Sequence, residues 1–379
     1  MPVLFKEISE DLGLSLVQIG TIWGISSLAG VFVSIFAGLL SDRFGVKFIL
    51  SLFCILVGVT GALRGLSNSF LTLAITVFLN GVVRLVVPVN VTKTVGMWFR
   101  GPKMGMAMGI SAMGMGLGLT LGPTISATML SPWLGGWRNV MYFYGVVSVA
   151  VGIVWVFIGR EPPMERPSGT TASVPAGRAF SRLIRLKALW LLGITLLFRT
   201  GSIMGMTGYL PLYLRGQGWA PASADGTLAS FYAISTLLVI PLTAISDRLG
   251  SRKAILFPAL ISATISLGLL PLADGAGVWA LMILAGIFMD GYMAITVTML
   301  LETEGVGLVY GGTALGIIFT IGQIGSVISP PLGNSFASIS PGLPFVFWAA
   351  LSALAIISLA ATRETGWRRG KTMAVAQVM

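Results

Sequence analysis

Histidine is absent from this 379-residue chain, and cysteine occurs once, at Cys54. A single cysteine excludes an internal disulfide, and without histidine a zinc or haem site lacks its usual ligands. No metal or other cofactor is expected. Charge is scarce too. Asp, Glu, Lys and Arg make up 10% of the residues, against roughly 25% in soluble domains. With 55% hydrophobic residues, the chain cannot clothe itself in a wetted surface, so its solvent is a bilayer. Also missing are a Walker-type loop, a nucleophile–base pair and a hydrophilic segment longer than about 30 residues that could house a catalytic domain. An enzyme is therefore not expected. No basic n-region with a cleavage site opens the sequence, which argues against a secretory signal peptide.

What is present is a series of long apolar runs. A span needs about 20 mostly apolar residues, and eleven such runs can be read: 18–40, 48–66, 69–95, 103–130, 138–159, 188–214, 226–246, 253–273, 277–300, 306–333 and 343–361. They are continuous, not short and alternating, so they predict an α-helical bundle and not a β-barrel. Basic residues set the orientation. With the loop "SDRFGVK" (Ser41–Lys47) placed in the cytoplasm, 18 of the 24 lysines and arginines fall on that side, the C-terminus among them. Lys6, Arg64, Arg138 and Arg215 fall outside it, and Arg84 and Arg199 lie within runs. The net charge of +11 is thereby explained by topology, and a nucleic-acid partner is not expected.

The loop is written twice. "SDRLGSR" (Ser246–Arg252) returns 205 residues after the first copy and sets Asp42 over Asp247, Gly45 over Gly250 and Lys47 over Arg252. The same offset sets Gly81 over Gly286. At 207, Gly109, Gly118 and Pro123 fall over Gly316, Gly325 and Pro330. The halves are joined by a Pro-, Ser- and Arg-rich stretch, 160–187, whose latter part suits a short amphipathic surface helix. Two homologous helical halves are the arrangement of parallel-repeat transporters.

The stretch Gly38–Lys47 resembles the signature loop of the major facilitator superfamily, and Gly118–Pro123 resembles the glycine–proline motif of that family's fifth helix. Trp98-Phe99, Gly135–Arg138 and Tyr310–Gly316 look like phrases from its organic-anion and nitrate-type branches. The resemblance covers essentially the whole chain and implies an all-α integral membrane fold of two homologous bundles. Residues 1–159 would be the N-terminal bundle (helices 2–6), 160–187 a cytoplasmic linker, 188–362 the C-terminal bundle (helices 7–12) and 363–379 a basic tail. Eleven of an expected twelve spans are visible, and helix 1 is the one missing. The opening "MPVLFKEISEDLGLS" reads as an extracellular loop, with Ser15 and Gln18 a capping box for the first helix.

The resemblance further implies a gate built on the two loops, from Gly38, Asp42, Arg43, Gly45 and Lys47 and from Asp247, Arg248, Gly250 and Arg252. Physically, the aspartates can cap helix N-termini and pair with arginines, and the glycines permit tight turns. Gly118 and Gly122 suit close helix packing and Pro123 a bend. Met104, Met106, Met108, Met113 and Met115 read as adaptable packing. Glu302 and Glu304 read as solvated loop residues.

Charges inside spans are costly and mark function. In the family's numbering Arg84, Arg199 and Asp290 sit mid-way along helices 4, 7 and 10, which the resemblance makes cavity-lining. Arginine forks suit carboxylate, phosphate or nitrate. The structural alternative is that Asp290 pairs with one of the arginines. The family's usual helix-4 arginine falls at Val77 here, so its role does not carry over to Arg84. Asp290 is also the candidate for a coupling proton. Asn80 and Gln323 can bond substrate or a neighbouring helix. Lys93 suits snorkelling to the interface.

These readings converge on a secondary transporter of a small organic or inorganic anion, working by alternating access with the anion between Arg84 and Arg199. Symport and antiport both stay open, with a proton, another ion or a counter-anion as the coupled species. A monomer in contact with lipid, in the inner membrane of a prokaryote, is expected. The alternatives are a transporter-like sensor or inactive truncated fragment, and an exporter of a neutral or hydrophobic compound.

Overall fold

The computed structural model describes residues 1–99, 102–160 and 176–366. Within its helices the side chains of 31–32, 34–39, 42–43, 96, 102–106, 108–109, 112, 176–179 and 307–309 lie outside the description. Gly38, Asp42, Arg43, Met104, Met106, Met108, most of the linker and the tail from 367 onward are therefore not discussed further as structure.

The described residues are helical, with no strand among them. The first half contains α1 (Phe5–Leu12), α2 (Leu16–Phe44), α3 (Val46–Leu63), α4 (Phe70–Arg84), α5 (Val86–Trp98), α6 (Pro102–Ile125), α7 (Ser131–Leu134) and α8 (Trp137–Ile158). After the linker come α9 (Ala176–Leu183), α10 (Lys187–Gly216), α11 (Pro221–Leu249) and α12 (Lys253–Leu269). The chain closes with α13 (Ala276–Gly286), α14 (Met289–Leu301), α15 (Gly307–Ser335) and α16 (Leu343–Ala361). Among the described residues, nine helices or helix pairs are long and apolar enough to cross a membrane. The expected spans 18–40 and 103–130 are not among the nine; they fall on α2 and on α6 with the turn that follows it.

Local chemistry explains the ends. Ser15 and Gln18 form the expected capping box, with Gln18 N–H donating to Ser15 Oγ at 3.2 Å and Ser15 N–H to Gln18 Oε1 at 2.9 Å. α2 stops at Gly45 (φ 85°) and α11 at Gly250 (φ 61°), a backbone region that favours glycine. Each glycine N–H closes the last turn on a serine carbonyl, Ser41 (3.1 Å) or Ser246 (3.0 Å). The opening segment is not a loop. Phe5 and Ile8 are buried along α1, and its acidic face is held by Trp137 Nε1 to Asp11 (3.1 Å), by Arg138 to Asp11, and by Ser131 Oγ to Glu7 (2.5 Å). The amphipathic spacing of Phe5 and Ile8 allows a short helix to pack where the polar residues suggested solvent.

The chain forms two compact units. Unit one comprises Met1–Ser168 with Thr207–Ala229 and Pro330–Ser335; unit two comprises Gly169–Met206, Ser230–Ser329 and Phe336–Met379. In unit one, a Cβ on Gly81 would press on the carbonyl oxygen of Ser26 at 2.7 Å, so α4 lies directly on the α2 backbone. In unit two, Gly286 presses in the same way on the Phe231 carbonyl, bringing α13 onto α11. Ser26 and Phe231 are related by the same offset of 205 as the two glycines, so the repeat extends to individual contacts. Close packing by small residues also joins α3 to α8, where a Cβ on Gly145 would stand 2.8 Å from the Gly58 carbonyl. Among the described residues, a Cβ on Gly118 or Gly122 would meet nothing within 4 Å. Pro123 lies inside α6, and a π-helical turn, Ser126–Leu130, follows. A helix interrupted near proline commonly adjusts this way.

Candidate functional site

Unit two buries Arg199 at mid-length in α10, with 2% of the residue exposed. Among the described residues none of its three guanidinium nitrogens has a hydrogen-bond partner. The Tyr292 ring on α14 lies 5.3 Å from the guanidinium carbon to the ring centroid. The Tyr292 hydroxyl is buried and, among the described residues, likewise without a partner. A desolvated cation–π contact contributes about 2 kcal/mol, whereas an unpaired buried charge costs several. The contact therefore orients the guanidinium without neutralising it. The pair offers a fork of N–H donors and one O–H donor, the complement of an oxyanion.

Two more candidates lie in unit two. Thr200 Oγ1, next to Arg199, donates to the Gly322 carbonyl at 2.6 Å, which ties α10 to α15 beside the half-buried Gln323. Asp290 lies in the first turn of α14. It accepts from Ser235 Oγ at 2.5 Å, and its own N–H donates to that oxygen at 3.0 Å. Among the described residues neither Asp290 nor Arg199 forms an ion pair, so pairing between them is not what holds Arg199.

In unit one, Arg84 is the last residue of α4, where the helix is interrupted at Leu85 before α5. Half-buried Arg64 lies within its electrostatic range, concentrating positive charge. Asn80 is committed to packing. Its Nδ2 donates to the Val57 carbonyl (3.1 Å) and to Thr60 Oγ1 (3.0 Å) across the α3–α4 contact.

The second signature loop is a closed network. Buried Arg252 donates to Asp247 (2.6 Å), to Ser246 Oγ (3.1 Å) and through two nitrogens to Glu302 (2.6 and 3.1 Å). Hydrogen bonding to Glu302 raises its pKa above the ordinary arginine value; burial opposes this and Asp247 adds to it. Glu302 is thus an ion-pair partner and not merely a solvated loop residue. Asp247 does not cap α12 either. That N-terminus is capped by Glu364, beyond α16, which accepts from the N–H groups of Arg252 (2.9 Å) and Lys253 (3.1 Å) and from Ser251 Oγ (2.6 Å). Burial pushes the Glu364 pKa up, but these donors and the N–H groups of Thr365 and Gly366 outweigh it and hold it below its usual 4.5. Arg248 is exposed. At the first loop, Lys47 is half-buried, and Lys93 donates to Ser41 Oγ at 2.8 Å.

A further charged pair escaped the sequence. Arg215, read as a loop residue, is buried in unit one and binds both oxygens of fully buried Asp225 at 2.6 and 2.8 Å. Asp225 lies four residues after the first residue of α11.

Similarity to known proteins fits this picture. The chain is 25% identical over 94% of its length, and 85% of the relative's, to the "Probable nitrate/nitrite antiporter NarK1" of Thermus thermophilus. It is 26% identical to the "Cis,cis-muconate transport protein" of Acinetobacter baylyi, over 91% and 85% of the two chains. It is 23% identical to the "Probable sulfoacetate transporter SauU" of Cupriavidus necator, over 85% and 79%. In fold it is similar to the crystal structure of the nucleoside transporter NupG, with a TM-score of 0.78, 13% identity and 95% and 94% coverage. Residues 1–311 match the family model of the Major Facilitator Superfamily, and the chain belongs to that family.

Proposed function

We propose that the chain is a secondary active transporter of a small anion, an organic acid or inorganic oxyanion, working by alternating access. The unpartnered Arg199 guanidinium beside the unpartnered Tyr292 hydroxyl carries this reading. Such a charge is stable only when a counter-charge reaches it, and a neutral solute supplies none. The relatives named above support the reading, since nitrate, muconate and sulfoacetate are all small anions. Arg84 serves unit one as a second anion-contacting residue. Asp290, hydrogen-bonded to Ser235 at the start of α14, is the coupling candidate, with a proton, another ion or a counter-anion as the coupled species. The signature loops steady one state of the cycle, and Gln323 is an auxiliary substrate contact.

The chain acts as a monomer with eleven spans in a prokaryotic inner membrane, its C-terminus cytoplasmic. The test is uptake by proteoliposomes containing the purified chain, offered nitrate, a monocarboxylate, cis,cis-muconate and a neutral sugar. Uptake or exchange of one anion class, lost in Arg199→Gln, supports the proposal. Transport of the neutral solute alone, or equal rates in the variant, refutes it.

A further inference from the structure

Where α10 begins, the C-terminal ends of α14 and α16 leave a cavity of about 310 Å³. All its walls belong to unit two. Lys187, the first residue of α10, and Arg363, just beyond α16, supply two cations; Ala188 and Leu191 supply apolar surface; Glu304 also lines it. Among the described residues neither cation is in an ion pair. The neighbouring carboxylates are spent elsewhere: Glu302 holds Arg252 and Glu364 caps α12. The thirty-residue α10 points its positive end here and adds to the field.

The flanking surface says where this cavity stands. Trp190 is 46% exposed, yet its Nε1 donates to the Ile184 carbonyl at 2.8 Å. Phe180 and Ile184 beside it are exposed as well. Exposed aromatics with a satisfied polar atom mark the headgroup level of a bilayer, and basic pockets between spans at that level bind acidic headgroups. We propose that the cavity holds the phosphate of an anionic phospholipid. Lys187 and Arg363 contact the phosphate, and the acyl chains leave over Ala188 and Leu191. Free phosphate has the same chemistry at the cations but gains nothing from the apolar side, which favours the lipid.

Native mass spectrometry of the full-length, delipidated protein tests this with phosphatidylglycerol and phosphatidylcholine as probes and inorganic phosphate as competitor. Wild type is expected to retain one phosphatidylglycerol in preference to phosphatidylcholine, undisplaced by millimolar phosphate. At about a fivefold effect per cation, Lys187→Gln/Arg363→Gln is expected to bind it roughly twenty-five-fold more weakly. Ala188→Trp, which fills the cavity and keeps both charges, is expected to weaken it as well. Equal phosphatidylglycerol binding by wild type and the double variant overturns the proposal. So does weakening by the double variant with no effect of Ala188→Trp, which would reduce the attraction to diffuse surface charge. Displacement by inorganic phosphate with no preference between lipids would assign the site to a soluble anion and overturn it too.

Discussion

Arg199 and Arg252 are both buried in unit two, yet they have opposite surroundings. Arg252 makes four hydrogen bonds to Asp247, Ser246 and Glu302; among the described residues Arg199 makes none and rests on a tyrosine ring. Arg215 in unit one resembles Arg252, with its charge met by Asp225. A family scaffold can thus bury arginine for two reasons. Where the partners are built into the chain, the charge fixes a structure. Where they are not, as at Arg199, the proposed function makes the site the place for an incoming anion.

This contrast is sharpest at Asp225. Replacing it with asparagine leaves Arg215 buried without a counter-charge and is expected to destabilise the protein by about 3–5 kcal/mol, read as a lowered unfolding temperature in detergent. A change of under 1 kcal/mol would mean the pair is not structural. Arg252→Gln is expected to cost less, about 1.5–3 kcal/mol, because it loses charged hydrogen bonds to partners that water can reach. The same denaturation experiment decides it.

Glu364 gives this side of the comparison a pH signature. Its folded pKa is held below the usual 4.5. Its contribution is therefore full above the ordinary carboxylate value and lost as the pH falls through the folded pKa. Glu364→Gln should accordingly lower stability at pH 7 and lose less on acidification than wild type. Parallel pH profiles of wild type and variant would remove Glu364 from the network. The smallest effect is expected at Tyr292→Phe. Loss of one hydroxyl donor should weaken anion affinity about five- to tenfold with stability unchanged or slightly raised, since an unpartnered buried hydroxyl disappears. Unchanged affinity in a ligand titration would leave Tyr292 as a platform for the arginine and no more.

Much of this was legible in the residues. The Ser15–Gln18 box, the turns at Gly45 and Gly250 and the repeat each have a local cause that sequence spacing records. Arg199 stood out because a charge inside an apolar run is costly. What stayed hidden depends on partners distant in sequence. Glu364 caps a helix whose first residues lie more than a hundred positions earlier, and nothing near it announces a cap. Tyr292 looks like core packing, and only the position of Arg199 reveals it as a donor; its place two residues after Asp290 was the available signal. Arg215 and Asp225 are ten positions apart and meet only once α10 and α11 are folded against each other.

The most direct measurement is the thermal unfolding of purified wild type and Arg199→Gln, each with and without a panel of small anions and neutral analogues. A ligand that binds the folded state raises its apparent stability by mass action. If Arg199 is reserved for an anion, one anion class stabilises wild type and not the variant, and the variant without ligand is at least as stable as wild type. A variant that is markedly less stable and still responds to the same anion would contradict this, and would make Arg199 a structural charge like Arg252.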